Sequence, residues 1–157
     1  MFTWEFLINL IMSFITATTF AILFNANRRH LVCIGFCGLG TYAFYHIVLV
    51  LTASTFWAAF ISSIFAALYS EIAARIRRAP TIIFLITGII PTVPGGTLFY
   101  TMKYLVLSYY DLALEKLIET LEVGIGIAGG IVSVSVLFTA ISDVLRKKRS
   151  KESNTTE

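Results

Sequence analysis

Long stretches without a charged residue, separated by short polar or basic segments, are the main pattern of this chain. The first stretch covers residues 6–24, which is enough for one helical membrane crossing. The second covers residues 31–70 and is too long for one crossing, so it predicts two spans joined by a turn at Thr52–Thr55. The third span would then cover residues 56–74, and Ser54 or Thr55 is expected to cap its first turn.

The fourth uncharged stretch, residues 81–102, is interrupted near its middle by the sequence PTVPGG. Each proline removes an amide donor and clashes with the preceding turn, and the paired glycines add backbone freedom. Unpaired backbone groups are costly in lipid, so such a break persists only inside protein or beside a water-filled cavity. The pattern predicts a fourth span broken at Pro91–Gly96, with a new helix starting near residues 95–97. The alternative is a kink that only accommodates packing, but two prolines and two glycines within six residues exceed what a kink requires.

Residues 111–122 have a different pattern, with leucine and isoleucine on one side of a helix and acids on the other. This predicts one amphipathic helix lying at the membrane surface, ahead of a fifth span at residues 123–144. Within that span, Gly126 and Gly130 have the spacing that lets two helix backbones approach closely. Helix packing is therefore their expected role.

The composition agrees with one membrane domain. Mean hydropathy is +0.84, 57% of residues are hydrophobic and 13% are charged, whereas a soluble domain would carry about twice that charge. We predict an all-α integral membrane protein with five transmembrane helices in residues 1–145. A basic and then polar cytoplasmic tail, residues 146–157, follows, and its composition after Arg149 favours disorder.

The same features exclude several function classes. The basic residues lie beside apolar stretches, so they do not indicate nucleic-acid binding. Cys33 and Cys37 stand alone on an apolar stretch and are expected to pack as small hydrophobic residues rather than to bind metal. Catalytic, nucleotide and cofactor motifs are not apparent, so the sequence predicts neither an enzyme nor a bound cofactor.

The basic residues also indicate the orientation of the spans. Five spans place residues 25–30, residues 75–79 and the C-terminal tail on one side of the membrane. Those segments hold ten of the twelve lysines and arginines, namely Arg28, Arg29, Arg75, Arg77, Arg78, Arg146, Lys147, Lys148, Arg149 and Lys151. The positive-inside rule then predicts an N-terminus outside and a C-terminus in the cytoplasm.

Two groups of residues are candidates for function. Glu71 is an acid within a predicted span, which makes it a candidate proton or gating group. Arg75 follows four residues later, the spacing of an ion pair on a helix surface, and the sequence leaves both roles open. The second group is the break, where free amides and the positive end of a helix dipole would suit a carboxylate. Its candidate substrate-binding residues are Pro91, Thr92, Pro94, Gly95, Gly96 and Thr97.

Three segments identify a protein family more specifically than the composition does. They are FNANRRHLVCIGFCG at residues 24–38, LYSEIAARIRRAP at residues 68–80 and GIIPTVPGG at residues 88–96. Over about residues 8–145, the chain resembles the C-terminal half of the threonine/serine exporter (ThrE) family. It is most similar to the separate small subunit of the two-component members, which include a bacterial succinate exporter. The motif at Ser70–Pro80 followed by the motif at Pro91–Gly96 carries the resemblance as a pair.

The resemblance implies a secondary exporter of small carboxylate-bearing metabolites, threonine and serine or a dicarboxylate such as succinate, in the bacterial inner membrane. It also implies a larger partner subunit similar to the N-terminal half of the family. An odd number of spans agrees with this, because two oppositely inserted halves make an inverted pair. The alternative is a non-transporting scaffold that stabilises or targets a partner through the Gly126/Gly130 face and the amphipathic helix. Membrane lipid surrounds the protein in either case.

Overall fold

The computed structural model describes the backbone of residues 4–153 and the side chains of residues 4–141. Its described residues contain helices and turns and no strand. The helices are α1 (Trp4–Leu23), α2 (Leu31–Thr52), α3 (Thr55–Arg77), α4 (Thr81–Ile89), α5 (Gly95–Val106) and α6 (Tyr110–Ser153), with short 3-10 turns at Arg28–His30 and Ile90–Thr92. Four helices are long and apolar enough to cross a membrane, and the bent α4–α5 pair makes a fifth span if it is counted as one. The predicted all-α membrane fold is confirmed.

The ends of α1, α2 and α3 lie close to the predicted boundaries. Residues 53–54 form the predicted turn between α2 and α3, and Ala53 takes a left-handed conformation with φ 52°. The expected cap hydrogen bond of α3 was wrong, because the Ser54 side chain makes none. Thr55 Oγ1 instead donates a hydrogen bond of 2.9 Å to Glu122 Oε2 of α6.

Helix α3 is the centre of the bundle and packs against α2, α4 and α6. Its buried residues are all small, so neighbouring backbones approach closely and gain dispersion contacts where lipid offers no hydrophobic driving force. These residues are Ala58, Ala59, Ser62, Ser63, Ala66, Ala67, Ser70, Ala73 and Ala74.

Gly126 and Gly130 of α6 lie directly against α3. A Cβ atom added to Gly126 would come within 2.8 Å of the Phe56 carbonyl oxygen. A Cβ atom added to Gly130 would collide with the Ser63 hydroxyl and come within 2.6 Å of the Phe60 carbonyl oxygen. The close contact between α3 and α6 therefore depends on glycine at both positions.

The prediction of a separate surface helix at residues 111–122 was wrong. That segment is helical, but it is the first part of α6, which continues for 44 residues to Ser153. The sequence has no proline or polar loop between the segment and the fifth span, so nothing ends the helix there. The first residues after Arg149, expected to be disordered, are also helical, and residues 154–157 lie outside the described part of the chain.

Helix α6 runs parallel to α3 and extends beyond it. Glu122 contacts Thr55 at the start of α3, and Phe138 packs under the Arg75 guanidinium near its end. Residues 110–121 thus extend about 18 Å past the start of α3, at 1.5 Å per residue. There they pack against α5, and we call this unit the α5–α6 hairpin. The opposite end of the bundle is called the basic end, because the α1–α2 and α3–α4 connections carry their arginines there.

Candidate functional site

The break between α4 and α5 has one side that packs inside the bundle and one side that is open. The two helical segments meet at an angle of 54°. Pro91 packs where Gly38 of α2 has no side chain, since a Cβ atom there would be 3.5 Å from the proline Cγ. Thr92 is buried, and its hydroxyl donates 2.8 Å to the Ile89 carbonyl. The proline side of the break is therefore held by packing against α2.

The glycine side of the break is open. Gly95 and Gly96 are exposed, and a Cβ atom added to either would meet nothing within 4 Å. Neither glycine has a positive φ. Within residues 4–141, neither packing nor backbone conformation thus requires glycine at these two positions. Because glycine has no side chain, the two glycines leave the space in front of α5 open.

Helix α5 begins with unsatisfied amides. Its N-cap position is Pro94, and no side chain caps it. The Gly95 amide bonds the Val93 carbonyl at 2.7 Å, and the Leu98 amide bonds the Pro94 carbonyl at 3.1 Å. The amides of Gly96 and Thr97 fall in the first turn, where a helix supplies no acceptor. They are available to an external anion, and the helix dipole favours one there.

A cleft of about 510 Å³ lies in front of this helix start, lined by Gly96, Thr97, Tyr100, Tyr104 and Lys116. Thr97 Oγ1 donates 3.0 Å to the Pro94 carbonyl, so its proton is used within the turn. The hydroxyls expected to orient a ligand, those of Thr92 and Thr97, therefore both donate to their own backbone. Lys116, which was not among the predicted site residues, is the cationic group of the cleft.

Lys116 belongs to a polar face of α6 that is turned toward α5. The lysine donates a 2.8 Å hydrogen bond to Glu119 Oε2. Thr120 Oγ1 lies 2.9 Å from Thr97 Oγ1 of α5. The apolar residues of the same segment are exposed instead, namely Leu112, Leu114, Leu117, Ile118 and Leu121. The segment is amphipathic as predicted, but Lys116, Glu119 and Thr120 face protein, whereas these apolar residues and the acids Asp111 and Glu115 are exposed.

The second predicted group, Glu71 and Arg75, forms an ion pair near the basic end. Arg75 Nη1 lies 2.7 Å from Glu71 Oε2 and 2.9 Å from the Glu71 carbonyl oxygen. The guanidinium also stacks on the Phe138 ring at 4.6 Å. Eighteen residues of α6 separate Phe138 from Thr120, which is about 27 Å along the helix. The structure thus places the two predicted groups far apart.

The two cysteines make contacts within the bundle. Cys33 Sγ lies 3.3 Å from the Tyr69 hydroxyl, and Cys37 Sγ lies 3.9 Å from the Ser70 hydroxyl. Within the part of the chain that the structure describes, no three or more histidine, cysteine or acidic side chains are grouped so as to hold a metal ion.

Comparison with known families assigns the chain. A family model described as "Threonine/Serine exporter, ThrE" matches residues 9–137. That range contains the broken α4–α5 pair, the cleft and the packed part of α6. No curated protein and no solved structure matches the chain significantly. The apolar helices and the family together indicate a multi-pass membrane transporter, and the chain belongs to the threonine/serine exporter (ThrE) family.

Proposed function

We propose that this chain is the small subunit of a secondary exporter, which moves small carboxylate-bearing metabolites out across the bacterial inner membrane together with a larger subunit. Family membership supports a transport function. The proposal that the substrate carries a carboxylate rests on the uncapped start of α5, which opens on a cleft lined by a lysine. The excess of basic residues at one end favours an outside N-terminus and a cytoplasmic C-terminus.

A carboxylate has two kinds of partner in this cleft. The amides of Gly96 and Thr97 donate hydrogen bonds along the dipole of α5. The Lys116 ammonium lines the same cleft and, besides its bond to Glu119, has further N–H donors for a carboxylate. Because both partners favour the ionised carboxylate, the site favours a metabolite that carries an ionised carboxylate over one that carries none.

The neighbouring acid favours one class of carboxylate. Glu119 lies beside Lys116, so a ligand bound to the lysine meets a negative charge within a few ångströms. An amino acid can place its ammonium group against Glu119, whereas the second carboxylate of a dicarboxylate would be repelled. The pairing of Lys116 with Glu119 therefore supports threonine or serine as the exported substrate ahead of succinate.

The cleft is closed by this chain on one side only. The glycines at the start of α5 face open space, and the apolar faces of the α5–α6 hairpin are exposed. Free amides within a membrane need protein or water around them. These features support a larger subunit that covers the open side and completes the path.

The Glu71–Arg75 pair lies near the basic end of the bundle, far from the cleft, and we propose that it gates the transport path there. It ties the end of α3 to Phe138 of α6 through the stacked guanidinium. An ion pair of exposed i,i+4 geometry contributes little to stability, so it can open at low cost. Breaking and re-forming this pair during export is the proposed gating step.

Efflux measurements test this function. Cells producing this chain together with the larger family subunit should hold less intracellular threonine and serine than cells producing either subunit alone. The intracellular pools of threonine, serine and succinate are measured after a dipeptide or metabolite load. Unchanged efflux of all three compounds with both subunits present would reject the transporter assignment.

The scaffold alternative loses part of its support. The Gly126/Gly130 face, which a partner was expected to use, is occupied by α3 of the same chain. A scaffold role would then have to rely on the exposed leucines of the α5–α6 hairpin. In the efflux experiment it predicts full transport by the overproduced larger subunit alone.

A further inference from the structure

A second cleft lies at the basic end of the bundle, where α1 turns into α2. Its volume is about 750 Å³. Its lining is half polar and half apolar and consists of Ile22, Asn25, Ala26, Asn27, Arg28 and Leu31. The proposed substrate cleft lies at the other end of the bundle, so this cleft has no part in the site described above.

The backbone around this cleft is held by local hydrogen bonds. Asn25 takes a left-handed conformation with φ 57°, and the Ala26 amide bonds the Ala21 carbonyl at 2.9 Å, which ends α1. Asn27 Oδ1 accepts a 3.2 Å hydrogen bond from the Arg29 amide and so starts the 3-10 turn that leads into α2. The two asparagine amides and the Arg28 guanidinium are thereby placed around one cleft as hydrogen-bond donors.

The electrostatic surroundings favour an anion. Ion pairs within residues 4–141 involve only Arg75 and Lys116 among the basic side chains. Exposed arginines at this end are thus left without an acidic partner there, namely Arg28, Arg29, Arg77 and Arg78. The two connections that carry them adjoin one buried cluster, because Ala26 and Ala79 both pack against it. Their charges therefore add at the same end of the bundle.

The apolar part of the lining distinguishes a lipid from a small anion. Ile22 is 60% exposed and lies in the last turn of the apolar helix α1. Leu31 begins the apolar helix α2 on the other side of the cleft. A phosphate ion has no apolar group to contact these side chains, whereas a phospholipid carries acyl chains close to its phosphate.

We propose that this cleft binds the headgroup phosphate of an anionic phospholipid. The Arg28 guanidinium and the asparagine amides hold the phosphodiester oxygens, since arginine suits the geometry of phosphate. Ile22 and Leu31 contact the first part of an acyl chain. Basic clefts at the ends of transmembrane helices are suited to such lipids.

Native mass spectrometry of the full chain in detergent tests the proposal. The protein is titrated with dioleoyl phosphatidylglycerol and, separately, with dioleoyl phosphatidylcholine, and bound lipid is counted. The wild type should prefer phosphatidylglycerol. Arg28→Gln should weaken phosphatidylglycerol binding about fivefold, the effect of one basic residue at a lipid headgroup. The matched control Arg78→Gln removes the same charge at the same end but outside the cleft, and should have a much smaller effect.

Two further arms separate a lipid from a free anion. Glycerophosphoglycerol has the same phosphodiester headgroup without acyl chains and should bind more weakly, because the acyl contact is lost. Excess inorganic phosphate should not displace the long-chain lipid. Equal losses in both arginine variants, equal binding of both headgroups, or displacement by phosphate would each overturn the proposed site. Both substituted arginines are exposed, and a thermal melt of each variant checks that the fold is retained.

Discussion

Thr97 at the start of α5 and Thr120 of α6 lie with their hydroxyl oxygens 2.9 Å apart. The two residues are 23 positions apart in sequence, and their contact joins the broken span to the last helix. It also brings Lys116, one turn before Thr120, to the amides at the start of α5. The binding site proposed for this transporter is therefore shared by two helices, and neither helix forms it alone.

Leucine at both Gly95 and Gly96 should abolish export without preventing membrane insertion. A Cβ atom at either glycine meets nothing within 4 Å, so the fold can accept side chains that fill the cleft and cover the amides. Gly124→Leu is the matched control, because Gly124 also faces open space but lies outside the cleft. Efflux and the amount of protein in the membrane fraction are measured together. Retained export by the double variant would rule out this site.

Lys116→Gln should lower the apparent affinity for substrate by about tenfold, the lower range expected for a hydrogen bond to a charged group. The loss should appear in the concentration dependence of export more than in the maximal rate. Lys103→Gln is the comparison, since Lys103 does not line the cleft and reaches it only through the Tyr100 ring, 5.8 Å from its ammonium, so a smaller loss is expected. Equal effects of the two substitutions would indicate a general influence of charge and not a contact in the cleft.

Glu119→Gln should change which substrate is preferred. The variant keeps the shape of the side chain but removes the negative charge beside Lys116. Threonine and serine export should fall because the ammonium partner is lost, and succinate export should rise or stay constant because the repulsion is lost. Competition between labelled threonine and unlabelled succinate measures the preference. A parallel fall for both compounds would contradict the proposed role of Glu119.

Gly130→Ala should destabilise the α3–α6 contact by about 1–3 kcal/mol, the usual cost of overpacking. The added methyl group would collide with Ser63 and with the backbone of Phe60, which cannot move away easily. Gly124→Ala, on the same helix, should have little effect because it meets open space. The melting temperatures of the two variants in detergent are compared. Equal values would contradict the proposal that the close α3–α6 contact requires glycine at position 130.

Glu71→Gln should reduce export while leaving the melting temperature nearly unchanged. An exposed ion pair at this spacing is worth about 0.3–0.5 kcal/mol, so a purely structural role predicts little change in either measurement. If Glu71 carries the coupled proton, export by the variant should also lose its dependence on external pH. Normal export with normal pH dependence would leave Glu71 as a structural partner of Arg75.

The spans and the break were predictable because their causes are local in sequence. Apolar length sets the helices, and Pro91 and Pro94 remove donors wherever they occur. The inward direction of Lys116 and Glu119 was not predictable in the same way. Periodicity separates two sides of a helix but does not say which side contacts protein. In a soluble protein the apolar side faces the core, whereas in a membrane protein the apolar side can face outward. The continuity of α6 was missed because a change in polarity at Val123 was interpreted as a helix end.

The unbroken length of α6 has a mechanical consequence. One helix touches the cleft at Lys116–Thr120, rests on α3 at Gly126 and Gly130, and meets the ion pair at Phe138. A stiff rod that tilts about a contact between its ends moves those ends in opposite directions. Widening the cleft at one end would therefore press α6 toward α3 at the other, so both ends could not open together.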